Sequence, residues 1–161
     1  VDILENGQLD LPIRVLKKLD YVICAIHSEF NLSKKKQTLR LLRAIENPYC
    51  NIIAHPSTRL LGKREACEIE WGQIWKAARE SFTALEVNGQ PDRLDLSSHL
   101  CRSAIDEGVN LTLASDAHNT QSLDFIRFAV DQARRGWVCK NQVLNSRPWT
   151  EIEKIFRKKS K

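Results

Sequence analysis

Methionine is absent from all 161 residues, position 1 included. The chain opens on Val1-Asp2-Ile3-Leu4, which reads as the end of a strand, so it is expected to be a fragment or an excised domain. No apolar run approaches the ~20 residues that a membrane helix needs. Acidic residues stand near the start where a secretory leader would carry a basic segment. The five cysteines (Cys24, Cys50, Cys67, Cys101, Cys139) are odd in number and form no CxxC pair. That argues against a zinc ribbon or a disulfide framework and points to a reducing, cytoplasmic setting.

What is present suits one globular domain. Hydrophobic residues make up 42% and charged residues 28%, which argues against global disorder and a collagen-like fibre. The net charge of +5 favours anionic partners through long-range attraction. It is gathered at Lys34-Lys35-Lys36, at Arg134-Arg135 and at Arg157-Lys158-Lys159 with Lys161. Each cluster reads first as a solvated helix surface or frayed tail. Phosphate-backbone binding is the alternative, because counterion release rewards clustered cations.

Short β-branched runs alternate with amphipathic stretches. Strands are expected at Val1–Leu4, Tyr21–Ile26 (buried), Asn51–Ala54, Ala84–Val87 and Leu111–Ala114. Glu5-Asn6-Gly7 reads as a turn, with Gly7 free to take a positive φ. Helices are expected at Pro12–Lys18, at Ser33–Glu46 with Ser33 as cap and Leu39, Leu42 and Ile45 on one face, and at Glu70–Phe82. Further helices follow at Ser97–Glu107, stopped by Gly108, at Ser122–Arg135, stopped by Gly136, and at Thr150–Arg157, capped by Thr150. Pro56–Ile69 reads as a long basic loop. Repeated βα units imply parallel strands, hence an α/β sheet or barrel.

The chemistry gathers behind the strands. His27 follows one, His55 another, and Asp116 and His118 a third, while Glu86 lies in the Ala84–Val87 strand. In parallel α/β folds the C-terminal strand ends line one rim, where active sites are built. Imidazole and carboxylate ligate Zn²⁺, Mn²⁺ and Fe²⁺. Taken singly, each histidine reads as a hydrogen-bonded structural residue and Asp116 as a helix cap. The coincidence at three strand ends favours a metal site. His99 reads as an ordinary helix residue, Trp71 and Trp75 as core, and the cysteines in or beside apolar segments as packing residues.

Several segments appear together in order: Asp2-Ile3-Leu4 with Gly7-Gln8-Leu9-Asp10, Ala25-Ile26-His27-Ser28, Ala54-His55-Pro56-Ser57 with Arg59-Leu60-Leu61-Gly62, Leu85-Glu86-Val87-Asn88, Arg93-Leu94-Asp95-Leu96, Ser115-Asp116-Ala117-His118 and Ala133-Arg134-Arg135-Gly136-Trp137. From about Val1 to Asn145 this set resembles the PHP (polymerase and histidinol phosphatase) domain, specifically the C-terminal PHP domain of bacterial family X DNA polymerases. The resemblance implies an α/β fold, a partial distorted (β/α)7 barrel with parallel strands and flanking helices. Residues 1–161 would be the C-terminal portion of a single PHP-like domain.

It implies divalent metal ions, Mn²⁺ or Zn²⁺ and up to three in the complete site, and a metal-dependent phosphoesterase acting as a 3′–5′ exonuclease in DNA repair. By matching motif, His27, His55, Asp116 and His118 would be metal ligands, with Asp116 and His118 also catalytic. An N-terminal His-x-His motif, a further His and a Glu would complete the site and have no counterpart in this chain. Arg59 and Arg64, by charge and placement, are expected to bind phosphate or DNA. The expected partners are DNA or another phosphate ester and a polymerase domain in the parent chain, with no membrane. The alternatives are an inactive DNA-binding or polymerase-stabilising module and a phosphatase for a small phosphate monoester.

Overall fold

A computed structural model describes residues 1–159 of the chain. Lys161 of the C-terminal basic cluster lies outside the described residues. Four parallel strands form the centre: β1 (Ile23–Cys24), β2 (Ile52–Ile53), β3 (Ala84–Asn88) and β4 (Leu111–Ala114), adjacent in that order. Parallel bridges from Asp2 to Ala25 and from Leu111 to Val143 extend both edges. Each strand-to-strand connection carries a helix: α2 (Lys34–Glu46), α3 (Trp71–Glu80) and α4 (Ser98–Asp106). A one-turn α1 (Ile13–Leu16) precedes β1, and α5 (Ile126–Arg135) and α6 (Trp149–Lys159) follow β4. The fold is α/β with a parallel sheet and flanking helices, as the strand-helix alternation implies.

Register pairs Cys24 with Ile53, Ile53 with Leu85, and Leu85 with Leu111, so these side chains share one face. That face carries the main core, with Leu41 and Ile45 of α2, Ile74 of α3 and Cys101 of α4. Burying one such leucine or isoleucine stabilises the fold by roughly 2 kcal/mol relative to leaving it in water. The neighbouring positions, Ile52 with Ala84 and Glu86 with Thr112, point to the opposite face. There Leu144 and Phe156 cover Ile52 and Ala84. The cover is partial. Tyr21 and Ile23 remain exposed, and a cavity of about 210 Å³ opens between them, Glu86 and Trp149.

Several local expectations are corrected. The buried Tyr21–Ile26 strand shrinks to two residues, and Ile23 is exposed to the cavity that separates it from α6. In α2 the inward stripe is Gln37, Thr38, Arg40, Leu41, Ala44 and Ile45, while Leu39 is exposed. The helix therefore sits rotated from the Leu39–Leu42–Ile45 face. Arg40 lies in the core because backbone carbonyls surround its guanidinium: those of Ile3, Leu4 and Ser28 each accept from it. Ser33 occupies the cap position without a capping hydrogen bond. Ser97 does cap α4, accepting from the Leu100 N–H. Gly108 (φ 76°) stops α4 as expected, but Gly136 ends α5 without a positive φ, and Trp137 carries it instead. Residues 121–125 form a 3-10 segment ahead of α5. Thr150 lies inside α6, which begins at Trp149. Cys139 is exposed, unlike the four buried thiols, and so is not a packing residue. Trp71 and Trp75 stack on each other with centroids 4.7 Å apart, Trp75 buried in the core.

Candidate metal centre

The adjacent parallel strands bring their C-terminal ends side by side. His27 lies three residues past β1, His55 two past β2 and Asp116 two past β4. The His27 and His55 ring centroids are 5.3 Å apart. Asp116, Arg93 and His27 all lie near enough to act electrostatically on His55. The structure thus brings His27 and His55 side by side, with Asp116 on the same rim. His118 sits on the Asp116 turn, its Nδ1 2.8 Å from the Asp116 carbonyl oxygen.

Each imidazole is held in a distinct way. His27 Nδ1 lies 2.6 Å from Asp2 Oδ1, a carboxylate–imidazole pair that leaves Nε2 for another partner. The His118 contact does the same through a backbone carbonyl. His55 is buried, and its Nδ1 has no hydrogen-bond partner. Burial, with help from the Arg93 charge, pushes its pKa down to about 4. It is therefore a neutral lone-pair donor at physiological pH. His55 (φ 31°) and Asp116 (φ 52°) both hold left-handed backbone, a conformation L residues disfavour and one that clusters at functional sites.

Imidazole nitrogen and carboxylate oxygen are donor types that a divalent ion takes, and the buried His55 Nδ1 lacks a partner. Among the described residues, no three His, Cys, Asp or Glu side chains stand close enough to hold an ion by themselves.

The two expected phosphate contacts are differently employed. Arg59 Nε donates to the Arg93 carbonyl at 2.7 Å, and its guanidinium also donates to the Leu94 carbonyl. Arg64 donates twice to the Thr58 carbonyl and lies 3.7 Å from the Phe30 ring centroid. Both brace loops. Arg93 is the guanidinium that faces the donors, with Nε 3.5 Å from Asp116 Oδ2.

Sequence reasoning missed Arg93 as a site residue, and it also missed the supporting role of Glu86, Gln90 and Asp95. Glu86 Oε2 accepts the His55 N–H at 2.7 Å and the Asn88 amide at 3.1 Å. Burial raises the Glu86 carboxyl to about 7, against those hydrogen bonds. Asp95 Oδ2 accepts the Ser57 N–H at 2.9 Å. Gln90 Nε2 donates to the Asp116 carbonyl at 2.6 Å. Glu86, Asn88, Arg93 and Asp95 stand in segments that carry the family resemblance, and Gln90 follows β3.

The chain is 40% identical over 158 residues to the DNA polymerase/3′-5′ exonuclease PolX of Bacillus subtilis (strain 168), covering 98% of the chain and 28% of that relative. It is 35% identical over 123 residues to a probable phosphatase of Caldanaerobacter subterraneus subsp. tengcongensis, covering 71% of the chain and 46% of the relative. A probable phosphatase of Thermoanaerobacter sp. (strain X514) is 29% identical over 163 residues, covering 94% of the chain and 61% of the relative. The chain thus spans less than two thirds of each of these relatives. No family model matches the chain. The resemblance to the C-terminal PHP domain of family X DNA polymerases is borne out along nearly the whole sequence. Among the described residues no helix is long and apolar enough to cross a membrane.

Proposed function

We propose that this chain, similar over 98% of its length to part of a PolX polymerase/exonuclease, is the C-terminal portion of a PHP-like phosphoesterase domain that removes nucleotides from DNA 3′ ends with Mn²⁺ or Zn²⁺ as cofactor. The observation that carries this reading is the closeness of His27 and His55 at the strand ends, with the Asp116–Arg93 pair on the same rim. His27, His55, Asp116 and His118 would hold the ion, together with the further donors that the family resemblance implies.

A divalent ion bound there supplies Lewis-acid polarisation of a phosphoryl oxygen. The protein's own share is positioning and charge. Asp2 and the Asp116 carbonyl fix the His27 and His118 rings at Nδ1, so neither ring must be ordered when substrate arrives. Burial keeps His55 unprotonated. Arg93 presents guanidinium N–H groups beyond its one ion pair, suited to two phosphate oxygens at once. Arg59 supports that residue by donating to the Arg93 carbonyl, and Arg64 braces the Thr58 turn. DNA is the proposed partner substrate, and a polymerase domain the proposed neighbour in the parent chain.

A second reading, a phosphatase for a small phosphate monoester, is favoured by the names of the two phosphatase relatives. One experiment addresses both. A 5′-labelled oligonucleotide and p-nitrophenyl phosphate are incubated with the full-length protein, its His55→Ala and Asp116→Ala variants, and protein stripped with EDTA and reloaded with Mn²⁺. Shortening of the oligonucleotide by the wild type, lost in both variants and on stripping, and restored by Mn²⁺, is the expected result. Equal activity in all three proteins removes the mechanism, and turnover of the monoester alone moves the assignment to the second reading.

A further inference from the structure

The stretch from Glu86 to Asp95 supplies none of the four proposed ligands, yet it touches both turns that carry them. At its start, Glu86 Oε2 takes the backbone N–H of His55. At its end, Asp95 Oδ2 takes the backbone N–H of Ser57, two residues further along the same turn. Between them, Gln90 Nε2 reaches the Asp116 carbonyl, the same oxygen that His118 Nδ1 meets. Gln90 is itself fixed, its N–H donating to Asn88 Oδ1 at 2.9 Å, and Asn88 in turn donates to Glu86. The chain of contacts runs from His55 through Glu86, Asn88 and Gln90 to Asp116 without a break.

We propose that Glu86, Asn88 and Gln90 form a clamp that sets the separation of the His55 turn from the Asp116–His118 turn, and so act as positioning residues for divalent-ion binding. The inference rests on the reading of His55 and Asp116 as ligands. Both turns hold left-handed backbone at the ligand residue itself. Such a conformation persists when surrounding structure over-determines it. Here the determining contacts come from one segment, because β3 lies between β2 and β4 in the sheet. A carboxyl oxygen accepting the His55 N–H and an amide donor on the Asp116 carbonyl hold the two turns by backbone atoms. No other rotamer of the ligand side chains can replace that hold.

The test measures Mn²⁺ affinity directly, by calorimetry and by the electron paramagnetic resonance of free Mn²⁺, on the full-length protein. The variants are Glu86→Ala, Glu86→Gln, Gln90→Ala and His55→Ala, each with the melting temperature of its metal-free form. Removing an outer contact of this type weakens metal affinity by about 10–100-fold. That loss is expected for Glu86→Ala and for Gln90→Ala, with recovery in Glu86→Gln, whose amide oxygen can still accept the His55 N–H. A purely structural role would lower the melting temperature and leave the affinity of the folded protein alone. Gln90 is only half-buried, so its variant serves where Glu86→Ala fails to fold. Wild-type affinity in Gln90→Ala and in every folded Glu86 variant, with affinity lost in His55→Ala, overturns the clamp and leaves the metal reading standing. Wild-type affinity in His55→Ala overturns both.

Discussion

Asp95 should make the protein more stable as the solution is acidified, against the usual behaviour of a carboxylate. Its side chain is fully buried, with Oδ2 on the Ser57 N–H and Oδ1 without a partner. Burial raises its pKa to about 6 from 3.8, and the contacts from Ser57 and the nearby Arg59 charge only partly offset this. Above pH 6 the folded protein holds a charge that its surroundings disfavour. Between about 6 and 3.8 the folded state takes up a proton that the unfolded chain does not, so stability rises as pH falls through that window. The full gain is about 3 kcal/mol once both states are protonated, and about 2 kcal/mol of it is present by about pH 4.

Asp95→Asn isolates this contribution, because it keeps the shape and an oxygen for the Ser57 N–H while removing the titration. Urea unfolding of both proteins is followed across the pH range and the difference taken, so that the other carboxylates cancel. The wild type should gain on the variant by about 2 kcal/mol between about pH 7.5 and about pH 4. A difference that stays level with pH would show that the Asp95 carboxylate is not disfavoured in the fold, and the burial argument would fail.

Two further expectations concern the guanidiniums and a close backbone contact. Arg93→Ala should lower kcat/KM for a phosphodiester by about 10–100-fold, the worth of a charge-assisted hydrogen bond, whereas Arg59→Ala should act mainly by lowering the melting temperature. Steady-state kinetics with melting curves distinguishes these outcomes, and a kinetic loss confined to Arg59→Ala would reverse the roles. Gly89→Ala should cost about 3 kcal/mol, because a Cβ there would stand 2.2 Å from the Phe125 carbonyl oxygen and 3.0 Å from Ala129 N, both backbone atoms that cannot swing aside. An unchanged melting temperature would mean that the start of α5 does not press on the end of β3.

The order of elements was legible because apolar period and turn chemistry are local properties. Leu111–Ala114 appears as expected, and Ile74, Trp75 and Ala78 face the core from α3 as their spacing implies. Where a face is only half covered, the local rule fails. Ile23 reads as core from its neighbours and is exposed, because what lies over it is set by α6, more than 120 residues on. Arg40 is buried despite its charge, because carbonyls from two distant segments meet its guanidinium.

By itself the sequence determined that imidazoles and a carboxylate follow three of the four parallel strands. In a sheet whose neighbours run in chain order, that is enough to bring His27, His55 and Asp116 to one rim. Only the tertiary structure decided what holds them there. Glu86, Gln90 and Asp95 act on backbone groups of turns far from them in sequence, Arg93 faces Asp116, and Arg59 is turned away onto carbonyls. A hydrogen bond to a distant backbone atom leaves no periodic trace along the chain, since its partner is set by which loops meet once the strands have paired.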